Sequence, residues 1–269
     1  MADKIIKEMN GHSGCKVFLC DKNGKKYVRK ISSSKNYNNR LKLQMQKQNN
    51  FSDSVIKVPQ TYKSGNIGDL FYFDMEFISG VSFHNYISLN SINNIIPIIE
   101  KISTFLQNTP VNNIDMTPDI QNKIHNLQKN IPSHMFKHCE YCLNYDWSNS
   151  PESQCHGDLT FENIFVYRNQ VYFIDFLDSF VKTKYIDYSK LFQDIILMWS
   201  WRFDEKTPFI KNMYLYNKIL DSLTDPEIEM IRRFLVLGLL RIVPYSNKKT
   251  LKILETNLQY ISKRFGLPT

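Results

Sequence analysis

The sequence predicts an α+β chain in which a small antiparallel sheet comes first and a mainly helical part follows. Two observations carry this. The first eighty residues hold short runs of β-type residues separated by turns containing Gly and Asn. From Val81 onward the apolar residues recur at helical spacing, as at 95, 96, 98, 99, 102, 105 and 106 within Ile92 to Leu106. One short β-type interruption, between 163 and 174, breaks the helical half.

The elements follow in order. Lys4 to Met9 reads as a first strand, Asn10 to Gly14 as a small polar turn, and Cys15 to Cys20 as a second strand. Asp21-Lys22-Asn23-Gly24 carries the Asn-Gly hairpin signal and leads into a third strand, Lys26 to Ile31. Side chains alternate along a strand, so Val28 and Lys30 share one face and Arg29 points to the other. A register slip of one residue would exchange Lys30 for Arg29. Asn39 to Gln48 reads as a helix with Gln44 and Gln48 on one face. Asp69 to Ile78 is a strong strand ending at Ser79-Gly80. Pro110 to Pro118, Pro132 and Ser148 to Pro151 mark loops. Asp187 reads as a helix N-cap, and helices are expected at about 208–221, 226–242 and 248–265.

The residues with the clearest chemistry surround the β-type interruption. Cys155-His156-Gly157-Asp158-Leu159-Thr160-Phe161-Glu162-Asn163 leads into Asn163 to Tyr167, a polar pair Arg168-Asn169, and Gln170 to Ile174, followed by Asp175-Phe176. The two β-type runs read as a hairpin, which brings its second strand back beside the start of its first. Asn163 and Asp175 therefore lie close together, with Asp158 on the loop that enters the hairpin. A carboxylate that can accept a proton, beside a carboxamide and a second carboxylate that can hold Mg²⁺, is the donor set phosphoryl transfer needs.

These motifs resemble the aminoglycoside phosphotransferase and choline kinase family, the small-molecule branch of the protein-kinase-like fold. His156-Gly157-Asp158 matches its H-G-D, Ile174-Asp175-Phe176 its I-D-[FWY], and Asp187-Tyr188-Ser189 its D-[LIY]-[AS] segment. Asp187-Tyr188-Ser189-Lys190-Leu191-Phe192 is closest to phosphotransferases of bacterial surface-polysaccharide gene clusters. The resemblance implies two lobes, with residues 1–80 binding nucleotide and 81–269 holding the catalytic and substrate machinery. It implies Asp158 as the catalytic base and Asn163 and Asp175 as Mg²⁺ ligands. Lys30 becomes the phosphate-pairing lysine, and Gly11, Ser13 and Gly14 form a phosphate-covering loop. The backbone of Glu76, Phe77 and Ile78 would meet the base of ATP or GTP, and Asp187 would steady the catalytic loop. Kinases place a Glu on the helix after the third strand to hold the lysine; this helix offers only Gln44 or Gln48.

The expected reaction moves the terminal phosphoryl group of a nucleoside triphosphate to a hydroxyl of a small molecule. That molecule is a sugar or glycan precursor, a choline-like alcohol or an aminoglycoside. Candidates to line its pocket are Asp178, Trp199, Trp201, Arg202, Arg241 and Tyr245; Asp178 could instead bind metal. A lining for aminoglycosides would be rich in carboxylates, and only Asp178 and Asp204-Glu205 are placed to contribute. A catalytically silent nucleotide-binding module is the alternative. A protein kinase is disfavoured, because no A-P-E segment follows Asp175.

Bulk properties bound the remaining classes. A chain of 269 residues with 42% hydrophobic and 22% charged residues has an ordinary globular composition. No apolar stretch approaches the ~18 residues of a membrane span, and Met1 to Lys4 leads into no signal-like apolar core, so a cytoplasmic protein is expected. The net charge of +8 lies mostly on scattered lysines, with no nucleic-acid motif and no basic run of five or more. Cys139 and Cys142 have a spacing that zinc sites use, but on an apparent helix among aromatics they read as packing. The odd cysteine count of 5 points to reduced thiols.

Overall fold

A computed structural model describes residues 4–9 and 15–266. The chain begins with β1 (Lys4–Met9), β2 (Cys15–Lys22) and β3 (Lys25–Ser32), then α1 (Asn38–Asn50), β4 (Ile56–Lys57), β5 (Thr61–Ile67) and β6 (Leu70–Glu76). Next come β7 (Val81–Ser82), α2 (Phe83–Leu89), α3 (Ile92–Asn108), β8 (Val111–Ile114), α4 (Thr117–Gln128) and α5 (Phe136–Leu143). The last part holds β9 (Ser150–Ser153), β10 (Ile164–Tyr167), β11 (Gln170–Phe173), α6 (Lys184–Leu197), α7 (Phe209–Leu220), α8 (Asp225–Leu240) and α9 (Lys248–Phe265).

The first sheet is antiparallel, in the order β1-β2-β3-β6-β5. Its β2–β3 turn places Asn23 and Gly24 at φ 55° and 79°, the left-handed pair a type I′ hairpin requires. The strand β5 escapes sequence reading. Thr61-Tyr62-Lys63-Ser64-Gly65-Asn66-Ile67 has no alternating apolar face, because no residue in it is buried. It exists because β6, buried over Phe71–Met75 and apolar there except for Asp74, needs a partner on its open edge. Leu41 of α1 packs on this sheet with Cys15, Val28, Phe71, Phe73 and Met75, forming a small core of its own.

The second, larger core belongs to the helices and a four-stranded sheet ordered β4-β11-β10-β7. The chain enters this core before residue 80. Phe51 packs against Phe105, Phe173 and Phe176, and Ile56 lies in β4, which runs parallel to β11. The predicted hairpin is present: Ile164↔Phe173 and Tyr167↔Gln170 pair, and Arg168 and Asn169 turn at φ 48° and 60°. Every residue of α6 from Lys184 to Ile196 is buried, so this helix runs through the middle of the C-terminal part. Its N-cap is Thr183, whose hydroxyl accepts from Tyr185 N–H. Asp187 lies in the first turn instead, with its carboxylate turned to the loop before the hairpin. Among the described residues no helix is long and apolar enough to cross a membrane.

Candidate active site

The loop from Cys155 to Asn163 is held from behind by α6. Residues 187, 190 and 194 fall on one helical face, and all three reach the loop. Asp187 accepts from the backbone N–H of His156 (2.6 Å) and of Gly157 (2.8 Å). Asp194 accepts from Phe161 N–H (2.5 Å), Ser200 N–H (2.8 Å) and the Ser200 hydroxyl (2.7 Å). Burial raises the pKa of Asp187 to about 6 and that of Asp194 to about 7, against the pull of these donors.

His156 is a fixed post in this loop. Its Nδ1 accepts from Asp158 N–H at 3.2 Å, so the ring proton sits on Nε2 and is donated to Ile174 C=O at 2.7 Å. Burial lowers its pKa to about 4, which keeps the imidazole neutral. The ring packs on Phe176, with centroids 4.4 Å apart. Gly157 adopts φ +92°. A Cβ there would stand 2.3 Å from Leu177 O and 2.6 Å from Ser179 Oγ, so only glycine fits.

Four polar side chains converge in front of this scaffold. Asn163 C=O accepts from Ile174 N–H at 3.0 Å, so the hairpin sets Asn163 beside the entry to Asp175. The Asn163 Nδ2 donates to Asp158 O at 2.8 Å and to Asp158 Oδ2 at 3.3 Å. Asp175, at φ +60°, turns its Oδ1 to Lys30 Nζ at 2.7 Å. Lys30 is buried; burial opposes its charge, but Asp175, with smaller help from Cys15 and Tyr37, outweighs it and raises the pKa. Asp158 Oδ1 lies 3.1 Å from Lys190 Nζ. Burial works against the Asp158 charge too, yet Lys190 first, then His156 and Arg241, hold the carboxyl below its usual range.

The strand register predicted for β3 holds: Lys30 faces the site and Arg29 faces away, in a two-point ion pair with Asp74 (2.7 and 2.8 Å). Neither Gln44 nor Gln48, the residues that α1 offers in place of a Glu, is bonded to Lys30. Gln44 Nε2 donates to the Tyr37 hydroxyl and Gln48 Nε2 to Pro59 C=O, while Lys30 is held by Asp175. From α1, Lys47 reaches the segment after Asp175: its Nζ donates to Leu177 C=O at 2.7 Å.

Gly11, Ser13 and Gly14 lie outside the described residues. Glu76 ends β6, and its N–H is taken by Gln60 C=O at 2.8 Å; Phe77 packs on the small core and Ile78 is buried. Trp201 is corrected from pocket lining to core. It is 1% exposed, packs on Phe161 and His84, and donates its indole N–H to Ser88 Oγ. Trp199 is buried beneath the Arg202 guanidinium, which stands 4.7 Å from its ring and 3.7 Å from Glu162. Asp178 and Tyr245 are exposed, and Arg241 lies over the Phe180 ring at 5.2 Å. Sequence reasoning missed Lys190, Asp194 and Lys47. The signal for the first two was polar residues at helical spacing, 187, 190 and 194, in a helix whose other residues are mostly apolar or aromatic.

The residues fit a magnesium ion. The amide hydrogens of Asn163 are directed at Asp158, leaving its Oδ1 as a donor atom, and Asp175 keeps Oδ2 while Oδ1 meets Lys30. Two hard oxygen donors are few for a cation held by protein alone but suited to one shared with phosphates. Among the described residues no group of three or more His, Cys, Asp and Glu offers a competing metal centre.

Comparison with solved structures gives the fold. A thermostable mutant of aminoglycoside phosphotransferase APH(4)-Ia, in ternary complex with ADP and hygromycin B, superposes with a TM-score of 0.70 at 12% identity, covering 98% of this chain and 94% of that one. A protein assigned as a fructosamine-3-kinase, from Haemophilus somnus, gives 0.57 at 14% identity over 96% and 92% of the two chains. An aminoglycoside-3'-phosphotransferase of type VIII gives 0.55 at 12% identity over 88% and 93%. No protein-family model matches the sequence, and no curated protein matches it. At these identities the likeness is one of fold: over nearly its whole length, this chain has the protein-kinase-like fold in the form found in aminoglycoside phosphotransferases.

Proposed function

We propose that the chain is a Mg²⁺-dependent phosphotransferase that moves the terminal phosphoryl group of ATP or GTP to a hydroxyl of a small molecule. The observation that carries the reading is the convergence of Lys30, Asp158, Asn163 and Asp175, drawn from β3, the catalytic loop and the hairpin, onto one face. Residues 1–80 would form the nucleotide-binding lobe and 81–269 the catalytic and substrate lobe. The similar structures that hold ADP or AMP-PNP with hygromycin B support a nucleotide and a hydroxylated acceptor. The described cysteines are all free thiols, in keeping with a cytoplasmic location.

Each residue then has a role. Lys30 pairs with nucleotide phosphates while Asp175 keeps it oriented. Asn163 and Asp175 would hold the magnesium ion, which supplies charge neutralisation at the phosphates. Asp158 orients the acceptor hydroxyl. As the acceptor oxygen bonds to phosphorus and the bond to the leaving diphosphate breaks, the hydroxyl proton passes to Asp158. Its pKa, held low by Lys190, suits a base that is ionised at neutral pH and takes the proton late.

Thermal unfolding with nucleotide tests the reading. At a nucleotide concentration of ~100 Kd, binding adds about 2.7 kcal/mol, or about 5–10 °C for a chain of this size, and only when Mg²⁺ is present. Asp175→Ala is expected to remove the Mg²⁺-dependent part of that shift. An equal Mg²⁺-dependent shift in the variant, or none in the wild type with either nucleotide, would sink the assignment.

A further inference from the structure

Three cations from separate helices lie near one another, and one of them, Arg241, lies near Asp158. Arg40 belongs to α1, Lys123 to α4, and Arg241 caps the C-terminus of α8. Lys123 Nζ and Arg241 Cζ stand 5.9 and 5.2 Å from the centroid of one ring, that of Phe180, five residues beyond Asp175. Arg40 and Arg241 are close enough to Lys123 to add to the effect of burial in lowering its pKa. Arg241 feels burial and Arg40 in the same sense, and Asp158 in the opposite one. Among the described residues none of the three has a carboxylate within the 4.0 Å of an ion pair.

Like charges repel one another, and Lys123 and Arg241, partly buried, also lose hydration, so a protein that gathers them without counter-charges has a site for an anion. The groups assigned to the nucleotide, Lys30, Asn163 and Asp175, are bonded to one another and to Asp158, and none of the three cations is bonded to them. The carboxylates that could attract an amine are spent elsewhere or open to solvent. Asp204 pairs with His84 at 3.2 Å, Glu162 lies 3.7 Å from Arg202, and Asp178 is exposed.

We propose that the acceptor is itself an anion: a hydroxylated small molecule of the sugar-acid or sugar-phosphate class, its anionic group held by Lys123 and Arg241 at Phe180, with Arg40 adding to the positive charge, and its hydroxyl at Asp158. The proposal rests on the phosphotransferase reading. It disfavours aminoglycosides, whose ammonium groups these cations repel, and choline for the same reason.

Calorimetric titration tests it with four matched probes: glucose 6-phosphate, glucuronate, glucose and glucosamine, each added to the protein with and without ADP–Mg²⁺. At least one anionic probe is expected to bind tenfold or more tighter than glucose, with glucosamine weakest. The phosphate and carboxylate arms separate the two sources of charge. Lys123→Gln combined with Arg241→Gln should weaken the anionic probe tenfold or more. Arg40→Gln, on an exposed residue, should weaken it about threefold without risk to folding, and Lys57→Gln should leave it unchanged. Anion binding no tighter than that of glucose, or binding that survives all three substitutions, overturns the proposal. The ADP–Mg²⁺ titration is read separately: its failure counts against the phosphotransferase reading, whatever the sugars do.

Discussion

Asp158→Asn is expected to lower turnover by about 10²-fold or more while Mg²⁺–nucleotide binding stays close to wild type. The amide keeps the size of the carboxylate but cannot take the acceptor's proton. The groups assigned to nucleotide, Lys30 with Asp175 and the free oxygen of Asn163, do not depend on the Asp158 charge. Asn163 is anchored chiefly through the Asp158 main-chain carbonyl at 2.8 Å, which the substitution leaves in place. Lys190 loses its ion partner, so a lower melting temperature is expected with the activity loss. The measurement is ADP release with an identified acceptor, alongside nucleotide titration of the same preparation. Near-wild-type turnover would remove Asp158 from the role of base. Loss of nucleotide binding together with turnover would instead give the loop a purely structural part.

The largest effect on stability is expected from Gly157→Ala. The backbone at φ +92° is one that residues with a Cβ rarely adopt, and the new methyl would stand 2.3 Å from Leu177 O. That carbonyl cannot withdraw freely. Lys47 Nζ donates to it at 2.7 Å, and Leu177 N–H is bonded to His156 C=O at 3.1 Å. Relief therefore means tearing the loop from Cys155 to Asn163 from the segment after Asp175. A cost of about 3–5 kcal/mol is expected, from overpacking and a strained backbone together. For a chain of this size that corresponds to a fall of about 6–20 °C in melting temperature. Gly24→Ala is the comparison: Gly24 has φ +79° but nothing within 4 Å of its absent Cβ, so only the backbone strain of ~1 kcal/mol remains. Equal melting temperatures for the two variants would refute the close packing behind Gly157.

The helix α6 shows where sequence reading stops. Asp187, Lys190 and Asp194 are visible as polar residues at helical spacing, and Asp187 was expected to steady the loop. That the same face delivers Lys190 to Asp158 depends on how the helix is rotated within the core. That rotation is set by Tyr185, Ile186, Tyr188, Leu191 and Phe192 packing on every other side. Lys123 and Arg241 belong to the same category: two scattered basic residues that read as a solvated surface until the fold brings them to one aromatic ring.

What the sequence determined by itself is what neighbouring residues decide. Asn23-Gly24 and Arg168-Asn169 set their turns, so the hairpin necessarily returned Asp175 to Asn163. Strand alternation put Lys30 and Arg29 on opposite faces, and the apolar period marked α3 and the C-terminal helices to within a residue or two. Tertiary structure alone decided the edge strand β5, the parallel pairing of β4 with β11, the burial of Trp201 and the partner of Lys30. Each of these is a contact between segments distant in the chain. Its free energy comes from the area and charge the two surfaces bring together, and neither surface carries a local pattern that names the other.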